Sequence, residues 1–271
     1  MPTNEHPNAD SKTARRIVIK LGTGVLARPL GRTLDTSQFR RLCDEFAQLV
    51  SSGDQCIVVS SGAVTAGLGV LGLSDRPIDL PGKQACASIG QPRLIRTWDT
   101  GLRRHGLSAA QLLLTHDDID SRRRHANARN TLERLLAARN VLPIINENDS
   151  VATEELNFGD NDRLSAEVAI LAQADLLVIL TASDGVMDRG ERVPVINDIE
   201  SAFAFVTNEK GPNSVGGMGA KLSAVRLAVH AGITTVVADG REPDRIADAL
   251  AGRDVGTRFP ASTRKKKPSR K

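Results

Sequence analysis

The sequence predicts an α/β protein, a three-layer αβα sandwich around a central, mostly parallel sheet. Two observations carry that prediction. Short apolar runs alternate along the chain with longer stretches of helical apolar spacing, the pattern of strands linked by crossover helices. The apolar runs are also nearly continuous rather than alternating, as strands covered on both faces require.

Taken in order, the strand candidates are 17–19, 57–59, 107–114, 141–145, 176–180 and 233–237. Between them, helical spacing predicts helices over roughly 36–52, 62–73, 83–105, 123–139, 162–173, 217–231 and 243–250. The stretch 151–161, with Val151-Ala152-Thr153 and Leu156-Asn157-Phe158, reads as a small hairpin. No repeat and no Pro-, Gly- or Ser-rich linker divides the chain. The expected organisation is a disordered N-terminus over 1–14, one folded domain over 15–260, and a basic disordered tail over 261–271.

At 271 residues, with 40% apolar and 25% charged residues, the chain has the composition of a soluble globular protein able to bury a large core. Six Phe, one Trp and no Tyr leave little for stacking bases, so nucleic acid is not the expected partner. Arg264, Lys265, Lys266, Lys267, Arg270 and Lys271 carry more than the whole net charge of +4, so the body is slightly acidic. Cys43, Cys56 and Cys86, odd in number and in apolar surroundings, predict reduced thiols in a cytoplasmic protein. The polar first residues contain no apolar signal core, and the apolar run at 176–180 is too short to span a membrane. His6, His105, His116, His125 and His230 show no ligand spacing, and no metal site is predicted from side chains.

Two acidic-amide bursts stand out. Asn146-Glu147-Asn148-Asp149 follows an apolar strand, and Asp160-Asn161-Asp162 opens a helical apolar face. Caps and turns would account for either burst alone. Two together, at the ends of neighbouring elements, are how an α/β protein holds a charged small molecule.

Glycine and lysine signals lie elsewhere in the chain. Lys20-Leu21-Gly22-Thr23-Gly24 ends the first strand, where glycines let backbone N–H groups approach a phosphate and a lysine adds charge. Gly216-Gly217-Met218-Gly219-Ala220-Lys221 opens a helix, and a lysine in that first turn opposes the dipole unless an anion is present. It is not a Walker A loop, because Ala220 and Leu222 flank Lys221. Gly67 to Gly72 satisfies GxGxxG, but it ends a helical pattern and has no acid about twenty residues on, so helix caps and close packing explain it better. Ser60-Ser61-Gly62-Ala63 follows the second strand, and its hydroxyls and free N–H groups suit either a plain cap or an anion.

In order, these segments resemble the amino acid kinase superfamily, and within it the glutamate 5-kinase family. The matching segments are 19–25, Ser60-Ser61-Gly62-Ala63, 111–115, 127–131, 143–149, Gly159-Asp160-Asn161-Asp162, and Gly216-Gly217-Met218 with Lys221. They span about residues 16–259. The resemblance implies transfer of the ATP γ-phosphoryl group to the side-chain carboxylate of L-glutamate, giving L-glutamyl 5-phosphate for proline biosynthesis. It gives catalytic parts to Lys20 and Lys221, oriented by Asp162, with Mg2+ on the phosphates. Glutamate would meet Ser61, Asp149 and Asn161; Asp149 suits the α-ammonium, while Asn161 and the Ser61 helix suit carboxylates. ATP would meet Lys20, Gly22, Thr181, Ala182 and the loop Val215, Gly216, Gly217, Met218, Gly219, Ala220 and Lys221. Proline feedback inhibition and a homodimer or homotetramer are further implications.

The sequence departs from the family pattern on the nucleotide side. Ser214-Val215 precede Gly216, Ala220 precedes Lys221, and Ala182 stands where the family usually has Asp, ahead of a 185–195 loop that reads as shortened. Many family members also carry a C-terminal PUA domain, for which this sequence leaves no room. Two alternatives remain open: a sister kinase acting on another small carboxylic acid, and a non-catalytic regulatory protein of the same fold. Lys20, Lys221 and Asp162 together weigh against the second.

Overall fold

Residues 14–29, 31–151, 161–205 and 217–262 are described by the structure, a computed structural model. Among them the order is β1 (Arg16–Leu21), α1 (Thr23–Leu26), α2 (Thr36–Ser51), β2 (Gln55–Ser60), α3 (Ala63–Leu68), α4 (Leu80–Arg103), β3 (Ser108–Leu114), α5 (His116–Asp120), α6 (Arg122–Leu136) and β4 (Val141–Glu147). There follow α7 (Asn161–Leu171), β5 (Leu176–Thr181), β6 (Met187–Asp188), β7 (Glu191–Arg192), α8 (Ile199–Ala202), α9 (Met218–His230), β8 (Thr234–Asp239), α10 (Arg245–Ala251) and β9 (Thr257–Phe259).

The main sheet has seven strands in the order β3-β4-β2-β1-β5-β8-β9. All its neighbours run parallel except β9, which pairs antiparallel with β8. Strand side chains alternate between faces, and the cores follow that alternation. Ile17, Ile19 and Leu21 pack with α2, α3 and α4 on one face. Val18, Ile57 and Ile179 pack with α6, α7 and α9 on the other. Burial on both faces is why the strands read as continuous apolar runs, and it makes the predicted three-layer sandwich.

Three differences from expectation have local causes. The helix expected over 62–73 ends at Leu68, because Gly69 starts a turn and Gly72 has φ +65. Gly67 instead serves packing: a Cβ there would lie 2.0 Å from the Cys86 carbonyl oxygen, and one on Gly90 would lie 1.8 Å from that of Ala63. The helix expected from 83 begins at Leu80, with Asp79 as its cap and Pro81 in its first turn, where a missing N–H costs nothing. The 185–195 loop, expected without secondary structure, holds a small antiparallel hairpin of β6 and β7. The expected hairpin at 151–161 and the two expected disordered termini fall almost wholly outside the described residues. No described helix is long and apolar enough to cross a membrane. Cys43, Cys56 and Cys86 are free and buried.

Candidate active site

The carboxyl ends of β1, β2, β4, β5 and β8 lie along one edge of the sheet. From β1 the chain departs to β2 on one side and returns to β5 on the other. Such a reversal leaves a crevice beyond the strand ends. In β1, Lys20 shares the face of Val18, the side covered by α7 and α9. There Lys20 Nζ lies 2.6 Å from Asp162 Oδ1 at the start of α7. Asp162 Oδ2 accepts from Lys221 Nζ, in the first turn of α9, at 3.2 Å. All three side chains are buried. Burial works to raise the Asp162 pKa, but the attraction and hydrogen bonds of Lys20 and Lys221 outweigh it and hold the carboxyl below its ordinary value.

Two cationic side chains thus face one carboxylate in this cluster. Asp162 sits favourably at a helix N-terminus, whereas Lys221 sits there against the dipole. Open backbone adjoins the cluster. A Cβ on Gly22 would come 3.5 Å from Lys20 Nζ, and one on Gly217, the residue capping α9, would meet no atom of the described residues within 4 Å. A bulky anion can therefore approach both the β1 turn and the α9 terminus. Met218, Gly219 and Ala220 fill the rest of that first turn, while Val215 and Gly216 lie outside the described residues.

A second group gathers at the same N-terminal end of α7. Asn161 Nδ2 donates to Ser61 Oγ at 2.9 Å and to Asn146 Oδ1 at 3.0 Å. Asn146 Nδ2 donates in turn to Gln91 Oε1 at 2.8 Å. Ser61 does not cap α3; Gly62 does, with no side-chain bond and with φ 112, a conformation that favours glycine. The plain-cap reading of Ser61 is thereby replaced by a place in this amide network. Both Asn161 N–H groups are spent, and its buried Oδ1 has no partner among the described residues. With its Nδ2 donors engaged, the amide atom that Asn161 leaves over is an acceptor. Asp149, also buried, has its carboxyl pushed up to about 7 by burial and by the Glu147 charge, against the pull of Arg76. Asn148 alone in this burst fits the turn reading, accepting from Ser150 Oγ at 2.7 Å.

The remaining expected positions lie at the ends of β5 and β8. Thr181 accepts from the Gly240 N–H at 2.9 Å. The Ala182 carbonyl accepts from Arg241 Nη2 at 2.9 Å, and Asp239 fixes the Arg241 fork with bonds of 3.0 and 2.6 Å. Behind the site, Glu167 of α7 is bonded to His116 at 2.8 Å and to Arg163 at 2.9 Å, which seats the helix carrying Asn161 and Asp162.

Reasoning from sequence missed Gln91, Arg76 and Arg241. Gln91 and Arg76 show no pattern in the chain; Asp239-Gly240-Arg241 does end a strand, a signal that could have been used. Asn146 and Glu147 belonged to the first burst but received no part. Among the described residues no three His, Cys, Asp or Glu side chains converge as a metal site.

Comparison with known proteins agrees with this geometry. The amino acid kinase family matches residues 15–239. A glutamate 5-kinase of Trichlorobacter lovleyi is 44% identical over 257 residues, covering 92% of this chain and 68% of the relative. Those of Myxococcus xanthus and Thermus thermophilus are each 41% identical, covering 92% and 93% of this chain and 67% and 69% of theirs.

Proposed function

The chain belongs to the amino acid kinase family, and from that premise we propose that it transfers the γ-phosphoryl group of ATP to the side-chain carboxylate of L-glutamate. The observation that carries this reading is the buried Lys20–Asp162–Lys221 cluster, joined through the first turn of α7 to an amino-acid-sized polar network. The α-ammonium of glutamate meets Asp149 and the spare acceptor of Asn161. The Ser61 hydroxyl and the opening of α3 take a carboxylate. The nucleophile is already ionised at neutral pH, so no general base is needed. A side-chain carboxylate oxygen attacks the γ-phosphorus, and the bond from that phosphorus to the β,γ-bridging oxygen breaks, leaving L-glutamyl 5-phosphate and ADP.

Lys20 and Lys221 offset the charge gathered between two anions, with Asp162 holding both at fixed positions before the substrates arrive. The backbone at Gly22 and the α9 terminus at Gly217 to Lys221 cradle phosphates, and Thr181 and Ala182 border the nucleotide. Mg2+ fits as an ion carried on the phosphates rather than in a protein cage, where it would neutralise phosphate charge. On the family resemblance alone we further propose the kinase unit over 15–260, a cytoplasmic homodimer or homotetramer, and inhibition by proline; sedimentation and glutamate titrations with proline test the last two.

The reading is tested by ADP release with Mg·ATP across a panel of small acids, with hydroxylamine present to trap an acyl phosphate. Hydroxamate formed from glutamate is the expected result. Hydroxamate from aspartate or N-acetylglutamate but not from glutamate would point instead to a sister kinase.

A further inference from the structure

Away from this site, α2 and α4 leave between them a groove of about 630 Å3. Its rim carries Arg40 from α2, Arg93 and Arg96 from α4, and Arg104 just beyond α4; among the described residues no acidic one lines it. Arg104 has only a distant partner, Asp44 at 3.9 Å. Among the described residues no carboxylate pairs with Arg40, Arg93 or Arg96. The spacing 93, 96, 100, 104 places three arginines and Thr100 along one helix stripe, and like charges at such spacings destabilise a helix. The composition does not force this arrangement, because the body of the chain is slightly acidic. Thr36 and Thr100 add hydroxyl donors, and Phe39 and Pro92 add an apolar surface.

We propose that this groove is a second binding site, for a small molecule carrying two or more phosphate groups. Arginine forks pair bidentately with phosphate oxygens, and a multivalent anion removes the repulsion along α4. The volume is that of a site for a molecule of nucleotide size rather than a single ion. Pro92 and Arg93 directly follow Gln91, so an occupant would sit one residue from a side chain of the amide network.

The test uses the full chain and inorganic tripolyphosphate at low ionic strength. Equilibrium dialysis counts bound probe, and Trp98, the only tryptophan, reports on the groove through its contact with Phe39 at 4.4 Å. Wild type and Lys221→Ala should both bind at the groove, whereas Arg93→Gln with Arg96→Gln should lose that equivalent or weaken it at least tenfold. Circular dichroism checks that the double variant is folded, which these exposed side chains permit. Equal binding by wild type and the double variant overturns the proposal. So does loss of all binding in Lys221→Ala, which would assign the probe to the phosphoryl site. Arginine-dependent pairing of copies that tripolyphosphate does not disperse would give the groove to a second chain, and overturn it also.

Discussion

Asp149 carries the sharpest consequence at the scale of single residues. A buried carboxyl with its pKa at about 7, above an ordinary value of 3.8, is favoured in its protonated form by folding. Its contribution to stability is thus fully present below 3.8 and is lost as pH rises through about 7. Binding an ammonium reverses the preference, since only the ionised form attracts it. The KM for glutamate should therefore rise as pH falls below 7, by roughly tenfold per pH unit, with kcat much less affected. Asp149→Asn should raise KM and flatten that profile; a wild-type KM independent of pH between 5 and 8 (roughly the range where an unperturbed carboxylate stays ionised) would contradict the assignment. Gln91→Ala tests the amide network. Losing one neutral hydrogen bond should raise the glutamate KM by roughly three- to tenfold, and an unchanged KM would remove Gln91 from the site. Asp149 stood out in the sequence because acids crowd a strand end. Gln91 did not, since a glutamine in mid-helix looks the same whether it faces solvent or a buried asparagine.

At the scale of elements, α7 and the α3–α4 pair do most to position the site. The first turn of α7 supplies Asn161 and Asp162, so one helix sets the spacing between the amide network and the lysine pair. The apolar face after the second burst made that helix legible. The α3–α4 contact was legible only as a run of glycines, whose partner in space no spacing rule supplies. Gly90 lets α4 close on α3 and so fixes the β2–α3 turn bearing Ser61. A methyl group 1.8 Å from the Ala63 carbonyl oxygen forces the backbones apart. Gly90→Ala should cost about 3 kcal/mol or more, read as a lower urea midpoint; an unshifted midpoint would mean the helices are free to separate without loss. The short elements α1, α5, α8 and β9 escaped sequence reading, because three to five residues are too few to show a period.

For the whole molecule, parallel strands buried on both faces place every strand's carboxyl end along one edge, and the reversal at β1 opens that edge between β2 and β5. Lys20, Ser61, Asp149, Thr181 and Lys221 are far apart in sequence and become neighbours of one crevice through this topology. The strand and helix alternation made the architecture readable, and the order of motifs made the family readable. What stayed unread were side-chain meetings across layers, such as Arg241 with Ala182, which depend on loop geometry rather than on pattern. The central claim is that a glutamate carboxylate attacks ATP in front of Lys20 and Lys221, and its most direct measurement follows the oxygen. Glutamate labelled with heavy oxygen in its side-chain carboxylate is turned over with Mg·ATP and hydroxylamine, and the released phosphate is read by phosphorus NMR. Each phosphate from wild type should carry one labelled oxygen, and Lys221→Ala should release at least a hundredfold less labelled phosphate. Phosphate released without label would mean that water, not glutamate, accepts the phosphoryl group, and would contradict that claim.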